Sequence, residues 1–130
     1  MKKIIVVIGL LLAPGVAGAA TLEALLAGYR SEGAGPFLAE RGAELLLREI
    51  PGATEGTSCA ACHTRDPKQS GRHVKTGKPI EPLAPAVNPE RFTDPAKVEK
   101  WFLRNCKGTL GRVCTPQEKG DFLQFLSTLR

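Results

Sequence analysis

Methionine occurs once in the 130 residues, at Met1, and histidine only twice, at His63 and His73. Aromatic residues are scarce: five Phe, one Trp and one Tyr. Apolar, β-branched runs alternating with helical stretches are missing, which argues against a Rossmann-type or other large α/β domain. Lys and Arg (18) exceed Asp and Glu (13) by only five, and no basic cluster is interleaved with aromatics, so nothing points to nucleic acid. Gly (14) and Pro (10) are plentiful, which predicts much loop and turn and excludes a long coiled coil or a multi-span membrane protein. The length suits one domain.

The first residues read as an export signal. Met1-Lys2-Lys3 is a short positive segment, Ile4–Leu12 is apolar apart from Gly9, and Pro14 and Gly15 break the run. Ala17-Gly18-Ala19 then places small residues where a signal peptidase cuts. The expected organisation is a signal peptide over 1–19 and one domain over 20–130, delivered to the periplasm with no membrane span after cleavage. Loss of Lys2 and Lys3 lowers the net charge from +5 to +3, a mild positive balance that favours an acidic partner protein. In an exported chain, disulfides form and persist.

Helical periodicity appears in four places. Leu22, Leu25, Leu26 and Tyr29 follow i, i+3, i+4, i+7. A second stretch covers Phe37–Ile50, with Leu38, Leu45, Leu46 and Leu47 as its apolar positions and Gly42 open to a close helix crossing. Asp94-Pro95 starts a third helix as N-cap and N1, with Val98, Trp101, Phe102 and Asn105 on one face. Thr115-Pro116-Gln117-Glu118 is a capping box, followed by Phe122, Leu123, Phe125, Leu126 and Leu129. The stretch from Pro51 to Asn88 is proline-rich and shows no period, and no strand is predicted. The fold class is all-α: about four short helices with long loops.

The chemistry lies in that irregular middle. Cys59-Ala60-Ala61-Cys62-His63 is C-x-x-C-H, the attachment motif of a c-type haem. Two thiols three positions apart can add to the two vinyl groups of one porphyrin, and the adjacent His63 then supplies the proximal nitrogen. A thioredoxin-like reading lacks its βαβ context. A zinc reading lacks two further ligands at knuckle spacing, and a Cys59–Cys62 disulfide leaves His63 unexplained. One covalent haem would also be the largest apolar object in the small core. Trp101, Phe102 and Leu83 are placed near it, and a proline carbonyl around Pro82–Pro85 is the expected acceptor for the second His63 nitrogen. Arg72, Lys75 and Arg91 read as solvated surface charge.

The sixth ligand is less direct. An axial Met is excluded, because Met1 leaves with the signal peptide. His73, a lysine, an asparagine or no ligand remain. Imidazole suits iron, but His73 follows His63 by ten residues in a Gly/Lys-rich loop, where an exposed loop histidine is the better reading. Asn105 ends the predicted third helix beside Cys106. Cys106 and Cys114 are the cysteines left after haem attachment and should form a disulfide. Closing so short a loop is worth on the order of 2–3 kcal/mol in the chain-entropy picture.

With Cys59-x-x-Cys62-His63, several further stretches resemble the sphaeroides haem protein family of small periplasmic c-type cytochromes with a high-spin haem. They are Thr76-Gly77-Lys78, Pro82-Leu83-Ala84-Pro85, Arg91-Phe92-Thr93-Asp94, Val98-Glu99-Lys100-Trp101, Arg104-Asn105-Cys106, Gly111-Arg112 and Cys114-Thr115-Pro116. The resemblance implies a cytochrome c-like fold around one covalent haem, Asn105 as sixth iron ligand and a Cys106–Cys114 pair. It also implies binding of oxygen and nitric oxide in the reduced state and a dihaem cytochrome c as redox partner. The rival readings are a simple carrier ligated by His63 and His73, and a small oxygen, nitric oxide or peroxide reductase. No distal acid or base is placed by the sequence, so gas binding and electron transfer rank above turnover.

Overall fold

The computed structural model describes residues 16–130. Its elements are α1 (Val16–Ser31), α2 (Ala39–Leu47), α3 (Cys59–His63), β1 (Gly71–Arg72), β2 (Pro79–Ile80), α4 (Pro95–Leu110) and α5 (Pro116–Thr128). The expected signal peptide lies mostly outside the described residues; Ala17, Gly18 and Ala19 fall within α1.

The fold is all-α, with one helix more than the periodicity predicts. The addition is α3, a single turn too short to carry a period. The two-residue strands, also unpredicted, pair antiparallel as Gly71↔Ile80 and Arg72↔Pro79. The hairpin is closed by His73 N–H donating to Lys78 O and Gly77 N–H to His73 O, with Gly77 at φ +70°. That conformation suits glycine.

The second predicted helix is shorter than expected. Leu38 and Arg48 are both extended, so α2 covers only 39–47, and Leu38 and Leu47 stay exposed while Leu45 and Leu46 are buried. The start of α2 is capped from a distance: buried Asp121 on α5 accepts from Leu38 N–H (2.8 Å), from Arg41 Nε (2.7 Å) and Nη2 (2.9 Å), and from Gln117 Nε2 (3.0 Å). These partners hold the Asp121 carboxyl below the usual range despite its burial. The anticipated crossing at Gly42 is present. A Cβ there would overlap the Asp121 backbone and the Phe125 Cβ, so α2 lies directly on α5.

Leu25, Leu26 and Tyr29 of α1, Phe92, and Leu123 and Leu126 of α5 form the core, with Val98, Phe102, Phe122 and Phe125 against it. Asp94 and Thr115 cap α4 and α5 as read from sequence, the latter through a complete capping box with Glu118. However, α4 does not end at Asn105. It continues for a further turn and more to Leu110 and stops at left-handed Gly111 (φ +71°), the usual glycine helix stop.

Two stability predictions follow from this frame. Gly42→Ala gains about 1 kcal/mol of helix propensity, but overpacking against backbone costs on the order of 1–3 kcal/mol or more. Denaturant titration should therefore show net destabilisation; unchanged or raised stability would mean the crossing is looser than described. Glu118, beside Arg112, the Thr115 amide and Arg48, is held at about 2, below its ordinary 4.5. A depressed carboxyl contributes stability above its unfolded value and loses it as pH falls through the folded one. Glu118→Gln keeps the cap acceptor but removes the charge, so it should be less stable at pH 7 and show a flatter loss of stability between pH 4.5 and 2.

Candidate functional site

Ser58, extended, leads into the single turn α3, which ends at Thr64 with φ +64°. One helical turn carries Cys59 and Cys62 three positions apart, and His63 follows. Cys59 and Cys62 are free thiols, both partly buried. Burial pushes the Cys59 thiol up, partly offset by a backbone hydrogen bond and by Arg48. Burial first, and the nearby Arg91 charge second, hold His63 at about 4, well below its ordinary 6.5. The imidazole is therefore neutral at pH 7, the form in which histidine binds metals. Its ring makes no hydrogen bond among the described residues. Gly71 lies so close beneath that a Cβ would overlap the Cys62 carbonyl, which seats the hairpin against α3. Paired thiols and a neutral imidazole on one short turn form a donor set that suits a covalent porphyrin.

Several side chains are not where the sequence reading puts them. Arg91 is half-buried rather than solvated: its Nε donates to Pro82 O (2.8 Å) and its Nη2 to Glu81 O (2.7 Å). Asn88 Nδ2 also donates to Pro82 O (3.2 Å), so that carbonyl is occupied rather than turned to His63. His73 is half-buried, not exposed. Its Nδ1 accepts from the Lys75 and Thr76 amides (3.2 and 3.3 Å), and its Nε2 stands 3.5 Å from Glu55. Leu83 is half-buried against the core, with its amide on Pro67 O (2.9 Å).

Trp101 and Asn105 occupy an exposed strip of α4 beside its core-facing Val98 and Phe102. Lys100 and Arg104 lie over the Trp101 ring at 6.0 and 5.5 Å. The Asn105 side chain makes no hydrogen bond among the described residues. Cys106, buried beside it, is bonded to Cys114 with a Cα–Cα distance of 5.6 Å. That bond fastens the last turns of α4 to the start of α5 rather than closing a free loop after a helix end. Among the described residues no hydrogen bond joins Asn105 to His63.

Sequence reasoning overlooks Glu55. Its amide donates to Gly108 O (3.2 Å) and its carbonyl lies 4.0 Å from Cys62 Sγ. Its carboxylate meets His73 and Lys75 (3.6 Å). The one available sequence signal is Gly108, a glycine near the end of a helix, where Glu55 fills the space of the missing side chain.

Comparison with known proteins agrees with this arrangement. A family model described as a domain of unknown function, DUF1924, matches residues 32–126. The cytochrome c-type protein SHP of Cereibacter sphaeroides is 43 % identical over 128 residues, 98 % of each chain. The structure of oxidised SHP, an oxygen-binding cytochrome c, superposes with a TM-score of 0.76 at 45 % identity, covering 83 % of this chain and 96 % of that one. Cytochrome c'' of Methylophilus methylotrophus, studied in solution for the structural basis of its haem-ligand detachment, gives 0.71 at 37 % identity, covering 85 % of this chain and 95 % of that one. Among the described residues no helix is long and apolar enough to cross a membrane. With the fold, the free C-x-x-C-H turn and these relatives in agreement, the chain belongs to the DUF1924 and sphaeroides haem protein family, as a monohaem c-type cytochrome with covalent haem c.

Proposed function

We propose that this cytochrome binds a diatomic gas, O₂ or NO, when reduced, using Asn105 as a weak sixth ligand that leaves on reduction. When bound, the haem supplies one-electron redox chemistry and an iron site for gases. Cys59 and Cys62 would hold it through thioethers, and the neutral His63 imidazole would ligate its iron. Leu83 and Trp101 contribute to the wall of the site. A neutral amide is a weak, hard donor, so Asn105 suits the harder ferric state and is released more readily from the softer ferrous one. The disulfide beside Asn105 keeps its amide close enough to return.

The observation that carries this reading is the contrast between Asn105 and His73. Asn105 has an uncommitted side chain on an exposed strip of α4, whereas His73 spends one nitrogen on two backbone amides and points the other at Glu55. A bis-histidine carrier would have to break that arrangement. Electron exchange would be with an acidic partner, of which a dihaem cytochrome c is the leading candidate. Lys97, Lys100, Arg104 and Lys107 form an exposed row along α4, none of them in an ion pair among the described residues. Export to the periplasm after removal of 1–19 completes the proposal.

Two measurements test it. Mass spectrometry of the exported protein should find one haem that survives denaturation; extraction of the haem by acid acetone would overturn the attachment. Asn105→Ala should change the ferric optical spectrum and leave ferrous CO binding intact, while His73→Ala should leave the ferric iron spectrum as it is. Conversion of a low-spin ferric haem to high-spin by His73→Ala would instead identify a bis-histidine carrier.

A further inference from the structure

Attachment through Cys59 and Cys62 fixes the porphyrin relative to α3, whereas Asn105 rides on α4. The reach of the amide therefore depends on whatever sets α4 against α3. Among the described residues the most direct link is the short segment before α3. Gly108 O is one of the C-terminal carbonyls of α4 that have no partner inside the helix. It receives the Thr54 hydroxyl at 3.1 Å and the Glu55 amide at 3.2 Å. The free Cys62 thiol also donates to the Glu55 carbonyl, at 4.0 Å; thioether formation removes that donor, so in the holoprotein Glu55 is tied to α3 by the four-residue step to Cys59 and by the hairpin. The Glu55 carboxylate meets His73 and Lys75 of the hairpin, and that hairpin is seated on α3 at Gly71.

Gly108 lies three residues beyond Asn105, about 4.5 Å along the axis. It is glycine for a steric reason: a Cβ would stand 2.5 Å from Glu55 Cγ and 2.8 Å from Glu55 Cβ. The near end of the Glu55 side chain cannot swing aside, so any larger residue must move the loop or the helix.

We infer that Thr54, Glu55 and Gly108 form a clasp that positions Asn105 over the haem and so sets how readily a gas replaces it. The inference rests on Asn105 being the sixth ligand. The disulfide holds the end of α4 covalently to α5, while the clasp holds it to α3 through hydrogen bonds to one carbonyl. A weak ligand has little binding energy with which to correct a misplaced helix, so loosening the clasp should empty the site. Thr54, Glu55 and Gly108 act through Asn105 and are positioning residues.

The test uses the holoprotein with Thr54→Val, Gly108→Ala and Asn105→Ala, and the first two combined with the third. Three readouts are needed: hydrogen exchange of the Glu55 amide, the ferric spectrum, and the rate of CO binding to the reduced protein. The clasp predicts slow exchange at Glu55 in the parent and faster exchange in Thr54→Val and Gly108→Ala. Both variants should shift the ferric spectrum toward that of Asn105→Ala and raise the CO rate several-fold. In the Asn105→Ala background they should change neither, because coupled residues lose their separate effects. Gly108→Ala also raises helix propensity, so a loss of ferric ligation there cannot be ascribed to a weaker helix. If Gly108→Ala does not fold, Thr54→Val carries the test alone. Parent-like spectra in both variants, or equal effects with Asn105 already removed, would overturn the clasp. An unchanged ferric spectrum in Asn105→Ala itself would instead overturn the ligand assignment on which it rests.

Discussion

The close approach of α2 to α5 is the constraint on which the rest of the molecule depends. Backbone meets backbone at Gly42, and the buried Asp121 carboxylate beside that contact is matched by four donor contacts from α2 and Gln117. Burying a carboxylate is costly unless it is paired and hydrogen-bonded, and here it is both. Two arms extend from this crossing. From α2 the chain runs through the loop before α3 to Cys59, Cys62 and His63. From α5 it runs back through the Cys106–Cys114 bond to α4 and Asn105. On the proposed reading, the reach of Asn105 toward His63 would be inherited from this crossing and adjusted where Glu55 meets Gly108.

The two arms differ in chemical character, and the proposed function uses the difference. The proximal side is stiff: a one-turn helix with a neutral, half-buried imidazole, a hairpin seated on its carbonyl, and Arg91 spanning the Glu81 and Pro82 carbonyls alongside. In the proposed reading, the distal side offers a single neutral amide on an exposed strip of α4. Strong proximal and weak distal ligation is the combination that lets a haem protein admit a gas without losing its cofactor, since haem function follows from what stands on the distal side.

Much of this was legible in the sequence, because it rests on local chemistry. C-x-x-C-H identified the cofactor class. Asp94 and the Thr115–Glu118 box located two helix starts, and Gly42 flagged the crossing. The misreadings have a common cause. Arg91 looked like surface charge because its partners are backbone carbonyls of Glu81 and Pro82, which leave no trace in residue identity. His73 looked like an exposed loop residue because the amides that hold it belong to the turn it closes. Leu38 fits the apolar pattern of α2 but precedes the helix, where Asp121 of α5 accepts from its amide, and Leu47, the last residue of α2, stays exposed. The apolar period of α4 fades at Asn105, whereas Gly111 marks the helix end. Glu55 had no local signature at all, since its role is defined by a helix more than fifty residues away.

Crystal structures of the haem-loaded protein in both oxidation states would show whether Asn105 leaves the iron on reduction. The account predicts the Asn105 amide oxygen within bonding distance of the ferric iron, opposite His63, and withdrawn from it after reduction, with His73 in its turn in both states. His73 on the iron in the ferric state, or Asn105 in the same position in both, would contradict it.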